Sequence, residues 1–174
     1  MTDGAGVADG APRWRRIADA DLPAIDAISD LLHPGLPERP EVVAEKRRLF
    51  PDGALAFVMG GAVVGYGIAH PWTLRDVPKL DHVLGALPPT PDCVFIHDVA
   101  ILPAARGHRA SAAFVERMRD IARGLDISAL ALVSVYDTRP VWSRYGFRAV
   151  DDAALAPALA PYGADARYMV ADIR

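Results

Sequence analysis

One stretch governs what this chain can become. From Cys93 to Arg123 it reads CVFIHDVAILPAARGHRASAAFVERMRDIAR. Residues 94–102 are apolar on both alternating faces, broken only by His97 and Asp98, which is the pattern of a central strand covered on both sides. Pro103 has no N–H for a ladder and marks the exit from the sheet. Phe114, Met118, Ile121, Ala122 and Leu125 then recur at helical spacing. Strict alternation puts His97 on one face with Phe95, Val99 and Ile101, and Asp98 on the other. Between strand and helix lies RGHRAS, residues 106–111. The first N–H groups of a helix have no partner within it, and their dipoles make that end positive, so small residues there can cradle an anion.

The rest of the chain reads as one domain around this unit. Residues 1–12 carry almost nothing to bury and read as a loose tail, leaving 13–174 as a single domain. A first strand covers 14–18. A helix follows with Leu22, Ile25, Ile28, Leu31 and Leu32 as its apolar stripe. HPGLPERP breaks it at 33–40, and a second helix covers 41–50 with Val42, Val43, Leu49 and Phe50 inward. Strands 54–59 and 62–69 flank Gly60-Gly61 as a hairpin. His70-Pro71-Trp72 opens a long polar connection to Asp92, which reads as a binding loop or lid. Residues 129–135 are a second strand apolar on both faces. A short helix runs from Asp137 or Thr138 to Tyr145, and strands 147–150 and 168–173 close the domain.

Composition excludes several classes. A hydrophobic content of 52% in 174 residues is incompatible with a disordered chain. A formal charge of -3 gives no global case for nucleic acid, and a single Cys allows neither a disulfide framework nor a multi-Cys metal site. No apolar run reaches membrane-spanning length, and the N-terminus lacks the apolar core of a signal peptide. The expectation is a cytoplasmic protein with no membrane or nucleic-acid partner and no metal.

The strand–RGHRAS–helix unit resembles the acyl-coenzyme A binding motif of the GNAT superfamily of N-acetyltransferases. Arg106 matches the first motif position, while Arg109 and Ser111 stand where the family usually has Gly and Gly or Ala. WSRYGFR at 142–148 resembles the family's late F-Y-x-x-x-G-F-R element, RRIADADLPAI at 15–25 its first strand and helix, and GYGIA at 65–69 its third strand. The resemblance implies an α/β fold: a mixed, mainly antiparallel twisted sheet flanked by helices and splayed between two central strands, here 94–102 and 129–135. It implies acetyl-CoA as co-substrate and direct attack by an amine of a small molecule or peptide in a ternary complex. A homodimer is compatible with it. The rival reading is a GNAT-like module that holds an acyl-CoA without turnover.

The same resemblance assigns roles. Backbone N–H groups of Arg106, Gly107, His108, Arg109, Ala110 and Ser111 would hold the pyrophosphate, and Val99, Ala100 and Ile101 would pair with the pantetheine arm. A free alkylamine with pKa near 10.4 is only about 0.1% neutral at pH 7.4, so a base could matter by up to ~4 kcal/mol. His97 is the leading base, because an imidazole is mostly neutral at pH 7. His70, Asp98 and Glu38 are the alternatives. The family's usual acid is a Tyr at the position held here by Trp142, which has no proton to give and would shape the cofactor slot. Tyr145, or else Tyr136, is left as the acid. The acceptor is expected to meet residues 33–38, with Glu38 facing its ammonium, together with His70 and Trp72.

Overall fold

The computed structural model describes residues 10–173; the expected tail falls largely outside them. Strands β1 (Arg13–Arg16), β2 (Ala54–Met59), β3 (Ala62–Trp72), β4 (Cys93–Ile101), β5 (Ala129–Ser134), β6 (Arg148–Ala149) and β7 (Arg167–Asp172) form one sheet in the order β1-β2-β3-β4-β5-β7-β6. Every neighbouring pair is antiparallel except β4–β5. The α/β class, with a mixed and mainly antiparallel sheet flanked by helices, is what the sequence implied.

The helices lie where their apolar faces send them. Helix α3 (Ala110–Gly124) buries Phe114, Val115, Met118 and Ala122 against Val94, Ile96, Leu130 and Leu132 on one side of the sheet. Helices α1 (Leu22–Leu32) and α2 (Pro40–Leu49) bury Ile25, Ile28 and Val43 against Ala54, Ala56, Tyr66, Ile68 and Ala100 on the other. Two short helices come later in the chain, α4 (Arg139–Ser143) and α5 (Ala156–Leu159). None of the described helices is long and apolar enough to cross a membrane. Three details differ from the periodic reading. Leu31 is 65% exposed on the outer side of α1. Leu125, one residue past the end of α3, is 46% exposed. Lys46 is 1% exposed, an inward lysine in α2.

Two irregularities of β4 make the site. First, β4 and β5 pair only through Val94–Leu130, Phe95–Ala131 and Ile96–Leu132. Beyond that point β4 follows β3 to Ile101 while β5 follows β7, so the two strands part. Second, the β3–β4 register steps from Ile68–Asp98 to Ala69–Ile96, which makes His97 the extra residue of a β-bulge. A bulge resets the alternation of faces. His97 stays on the face of Phe95, but Asp98 joins it there, and Val99 and Ile101 turn to the α3 face. The sequence expectation that His97 shares a face with Val99 and Ile101, opposite Asp98, is therefore corrected.

Strand β3 also runs on through His70-Pro71-Trp72, which the sequence placed at the head of the loop. On the α3 side it approaches the helix closely. A Cβ at Gly67 would fall 2.3 Å from the Phe114 ring. Gly67→Ala should therefore destabilise the fold by about 1–3 kcal/mol, read as a lower urea midpoint. An unchanged midpoint would mean that α3 shifts freely, contrary to its burial.

Candidate active site

The parting of β4 and β5 opens a cavity of about 660 Å³. One wall is Val99 and Ile101. A second is the turn into α3, with Arg106, Gly107, Arg109, Ala110 and Ser111, and a third is the α4 segment, with Thr138, Trp142 and Tyr145. His33, His97 and Asp98 line this cavity and also a smaller one of about 40 Å³, shared with Leu36, Glu38, Leu80 and Tyr162. These three side chains stand where the two spaces meet.

The turn into α3 leaves backbone N–H groups at the start of the helix without helical partners. Gly107 has φ 90°, and Arg109, at the helix cap, has φ 55° and ψ 25°, both left-handed. A non-glycine residue holds that conformation at a cost of about 1 kcal/mol, so Arg109 is a strained occupant of the place where the family usually has Gly. The first helical hydrogen bond is from Ala113 N–H to the Arg109 carbonyl, 2.9 Å. The N–H groups of Ala110, Ser111 and Ala112 thus have no acceptor within the helix. The Trp14 indole fixes the cap by donating to the Ala110 carbonyl at 2.9 Å. His108 is exposed and lines neither cavity, and the Ala100 side chain faces the α1 side.

At the junction the polar groups fall into two pairs. His97 Nε2 lies 3.0 and 2.9 Å from the two oxygens of Glu38. Glu38 also accepts from the Asp81 N–H at 3.1 Å. Burial would raise the Glu38 carboxyl, but His97, Lys46 and the Asp81 N–H outweigh it and bring it down to about 2. With Glu38 an acceptor, the neutral His97 ring carries its proton on Nε2. Its Nδ1 is buried and has no hydrogen-bond partner. The second pair is Asp98, which accepts from the Tyr66 hydroxyl and lies 3.4 Å from His33 Nδ1. Burial would lower His33, but Asp98 and Glu38 raise it overall. The His33 ring stacks on Tyr136 at 5.8 Å and 1°.

The connection from β3 to β4 is strapped over this region. Glu45 accepts from the Leu84 and Gly85 N–H groups at 2.6 and 2.8 Å, and Arg39 holds Asp81 at 2.9 Å. Lys46 donates to the His82 carbonyl at 3.3 Å; burial pulls its pKa down against Glu38 and Glu45.

Other residues singled out in the sequence lie elsewhere. His70 is 0% exposed and lines neither cavity; burial first, then His97, lowers it to about 3. Trp72 donates to the Asp76 carbonyl and packs edge-on against His70 at 5.2 Å, away from both cavities. Trp142 lines the large cavity, and its indole N–H is already given to Thr138 Oγ1 at 3.2 Å. Tyr145 lines the same cavity, its carbonyl held by Arg119. Burial pushes the Cys93 thiol up to about 12, so it offers no thiolate. Among the described residues no group of three or more His, Cys, Asp or Glu side chains is placed to hold a metal ion.

A family model described as the acetyltransferase (GNAT) family matches residues 16–147. The chain belongs to the GNAT family. No curated protein sequence matches this one. Solved structures share the GNAT fold at low identity. Ard1 from Thermoplasma volcanium is 14% identical, with 94% of this chain and 99% of that one covered at a TM-score of 0.70. The GphF GNAT-like decarboxylase, solved with isobutyryl-CoA, is 16% identical over 93% of this chain and 100% of that one, TM-score 0.73. The GNAT family N-acetyltransferase YhbS from Escherichia coli, solved with CoA, is 18% identical over 100% and 86%, TM-score 0.60. Members of this GNAT family are generally acyltransferases.

Proposed function

We propose that this protein transfers an acetyl group from acetyl-CoA to a primary amine by direct attack within a ternary complex. The observation that carries the reading is the splayed cavity: the cap of α3 forms one wall, and the His97–Glu38 pair stands where it meets a second, smaller space. The cap suits a pyrophosphate, since three helix N–H groups lack helical acceptors and Gly107 has open space beside its Cα. A Cys-bound intermediate is disfavoured by the buried, protonated thiol of Cys93.

In this reading the β4 edge at Val99–Ile101 orients the thioester, and a backbone N–H there meets the charge that develops on its oxygen. His97 Nδ1 receives the proton that the acceptor ammonium must lose. Glu38 fixes the His97 tautomer and stabilises the imidazolium that forms, the logic of a carboxylate-oriented histidine base. Trp142 shapes the slot, and Tyr145 is the acid within reach of it.

Two measurements test this. Calorimetry with acetyl-CoA should show binding that Ser111→Glu weakens at least tenfold, and more so at low salt, because the new carboxylate faces phosphate. Thiol release with a panel of amines should then show turnover. Unchanged affinity in Ser111→Glu would remove the cofactor assignment. Tight binding with no release for any amine would leave the acyl-CoA-binding module.

A further inference from the structure

The smaller cavity carries a statement about the acceptor, which rests on the acyl-transfer reading above. Its walls are apolar on one side: Leu36, Leu80, Val133, Val135 and Tyr162. Tyr162 is held there by its hydroxyl, which donates to the Pro78 carbonyl at 2.5 Å. At the junction with the cofactor cavity the wall turns polar, with Asp98, His97 and His33. One oxygen of Asp98, Oδ2, takes the Tyr66 hydroxyl and faces His33. Its Oδ1 takes no hydrogen bond from the described residues. His97 Nδ1 is a second acceptor without a donor, on a side chain 4% exposed. The β4 bulge is what puts these two acceptors on one face. Two free acceptors on one face fit a group that brings several N–H bonds, which is an ammonium.

The size of the space limits the group that the nitrogen can carry. A water needs roughly 10–15 Å³ by this measure of volume, so about 40 Å³ admits three or four non-hydrogen atoms. The carboxylates of Glu38 and Asp98 both border it. A carboxylate on the incoming amine would meet the like charge of both, and Lys46 is engaged by the His82 carbonyl.

We infer that the acceptor is a short primary alkylamine without an α-carboxylate, its ammonium seated between Asp98 Oδ1 and His97 Nδ1 and its alkyl part in the Leu36–Leu80–Tyr162 chamber.

Matched pairs test this on the full chain loaded with CoA. Propylamine is compared with 2-aminobutyrate, and 2-methylpropylamine with valine; each pair differs only by the carboxylate. Calorimetry should show the amine binding at least tenfold tighter in both pairs. Asp98→Asn should reduce that preference at least tenfold. Leu36→Trp, which fills the chamber, should abolish amine binding and leave CoA affinity within twofold. Nα-acetyl-lysine amide, too long for the chamber, should bind more weakly than butylamine, and tighter binding overturns the size argument. Equal or tighter binding of the amino acids, no binding of either amine, or full binding in Leu36→Trp overturns the inference. Because these are binding measurements, they stand apart from turnover: thiol release with valine above 2-methylpropylamine would overturn this assignment while keeping acetyl transfer, and CoA binding with no release for any amine would do the reverse.

Discussion

Replacing His97 by Asn should lower turnover at pH 7 by about 10²–10⁴-fold, the span of a lost general base, with little change in acetyl-CoA affinity. The affinity is spared because His97 stands at the junction of the cavities, apart from the α3 cap. The acid side of the pH–rate profile should flatten in the same variant. Glu38→Gln sharpens the test. A carboxylate only accepts, so it forces the His97 proton onto Nε2. A carboxamide can instead donate to Nε2, which moves the ring proton to Nδ1 and closes the lone pair the reaction needs. Glu38→Gln should therefore lose rate nearly as steeply as His97→Asn, although the histidine is still present, and the double variant should lose little more. A wild-type rate and pH profile in His97→Asn would remove it as the base and leave Asp98 or His33 at the same junction.

Why some of this is legible in the sequence and some is not is a matter of range. The β4–α3 unit shows itself because burial on both faces and a helical stripe are local patterns, and its cap residues are contiguous. The junction is harder, because its geometry depends on β3. The bulge at His97 is a mismatch between two strands, and no periodicity within β4 contains it. One trace is present: two consecutive polar residues in a strand buried on both faces. Strict alternation must put one of them in the α3 core, and a bulge avoids that. The Glu38–His97 pair joins residues 59 apart and needs the α1–α2 connection to cross over the sheet. The sequence alone points Glu38 at the substrate, but most of its capacity is used on His97 and the Asp81 N–H. Lys46 carries no signal of its own, since a lysine in a helix belongs by default to the solvated face. What draws it inward is a set of carboxylates from other elements, Glu38, Asp81 and Asp98, together with Glu45.

Acid should unfold this protein in a staged way, and the first stage belongs to His70. The ring is fully buried, with Nδ1 on the Pro71 carbonyl at 3.2 Å and Nε2 without a partner, so protonating it in place would bury an uncompensated charge. Its pKa falls from 6.5 in the unfolded chain to about 3 in the fold. Below 6.5 the unfolded chain therefore binds more protons than the native one, and stability drops as the pH drops. The contribution is fully present above 6.5 and lost progressively down to about 3, on the order of 5 kcal/mol at about 1.4 kcal/mol per unit. Glu38 has the same sign in a lower window: its stabilisation is present above its ordinary value of 4.5 and lost as the pH falls toward about 2. His33 has the opposite sign, its raised pKa favouring the fold on the acid side, but it is only partly buried and its contribution is shallow beside these. The windows separate the causes. Between pH 6.5 and 5 only His70 is losing its contribution, so urea midpoints should fall there in the wild type and stay nearly flat in His70→Asn and His70→Phe. Below pH 4.5 all three proteins should lose stability through Glu38. Near pH 4 the two losses come to about 4 kcal/mol, mostly from His70, which brings a fold at the low end of the usual range of about 5–15 kcal/mol to the edge of unfolding. Parallel slopes for wild type and both His70 variants between pH 6.5 and 5 would mean that His70 is protonated within the fold, with its Nε2 reaching an acceptor such as Glu38 by a shift of the strap over the junction.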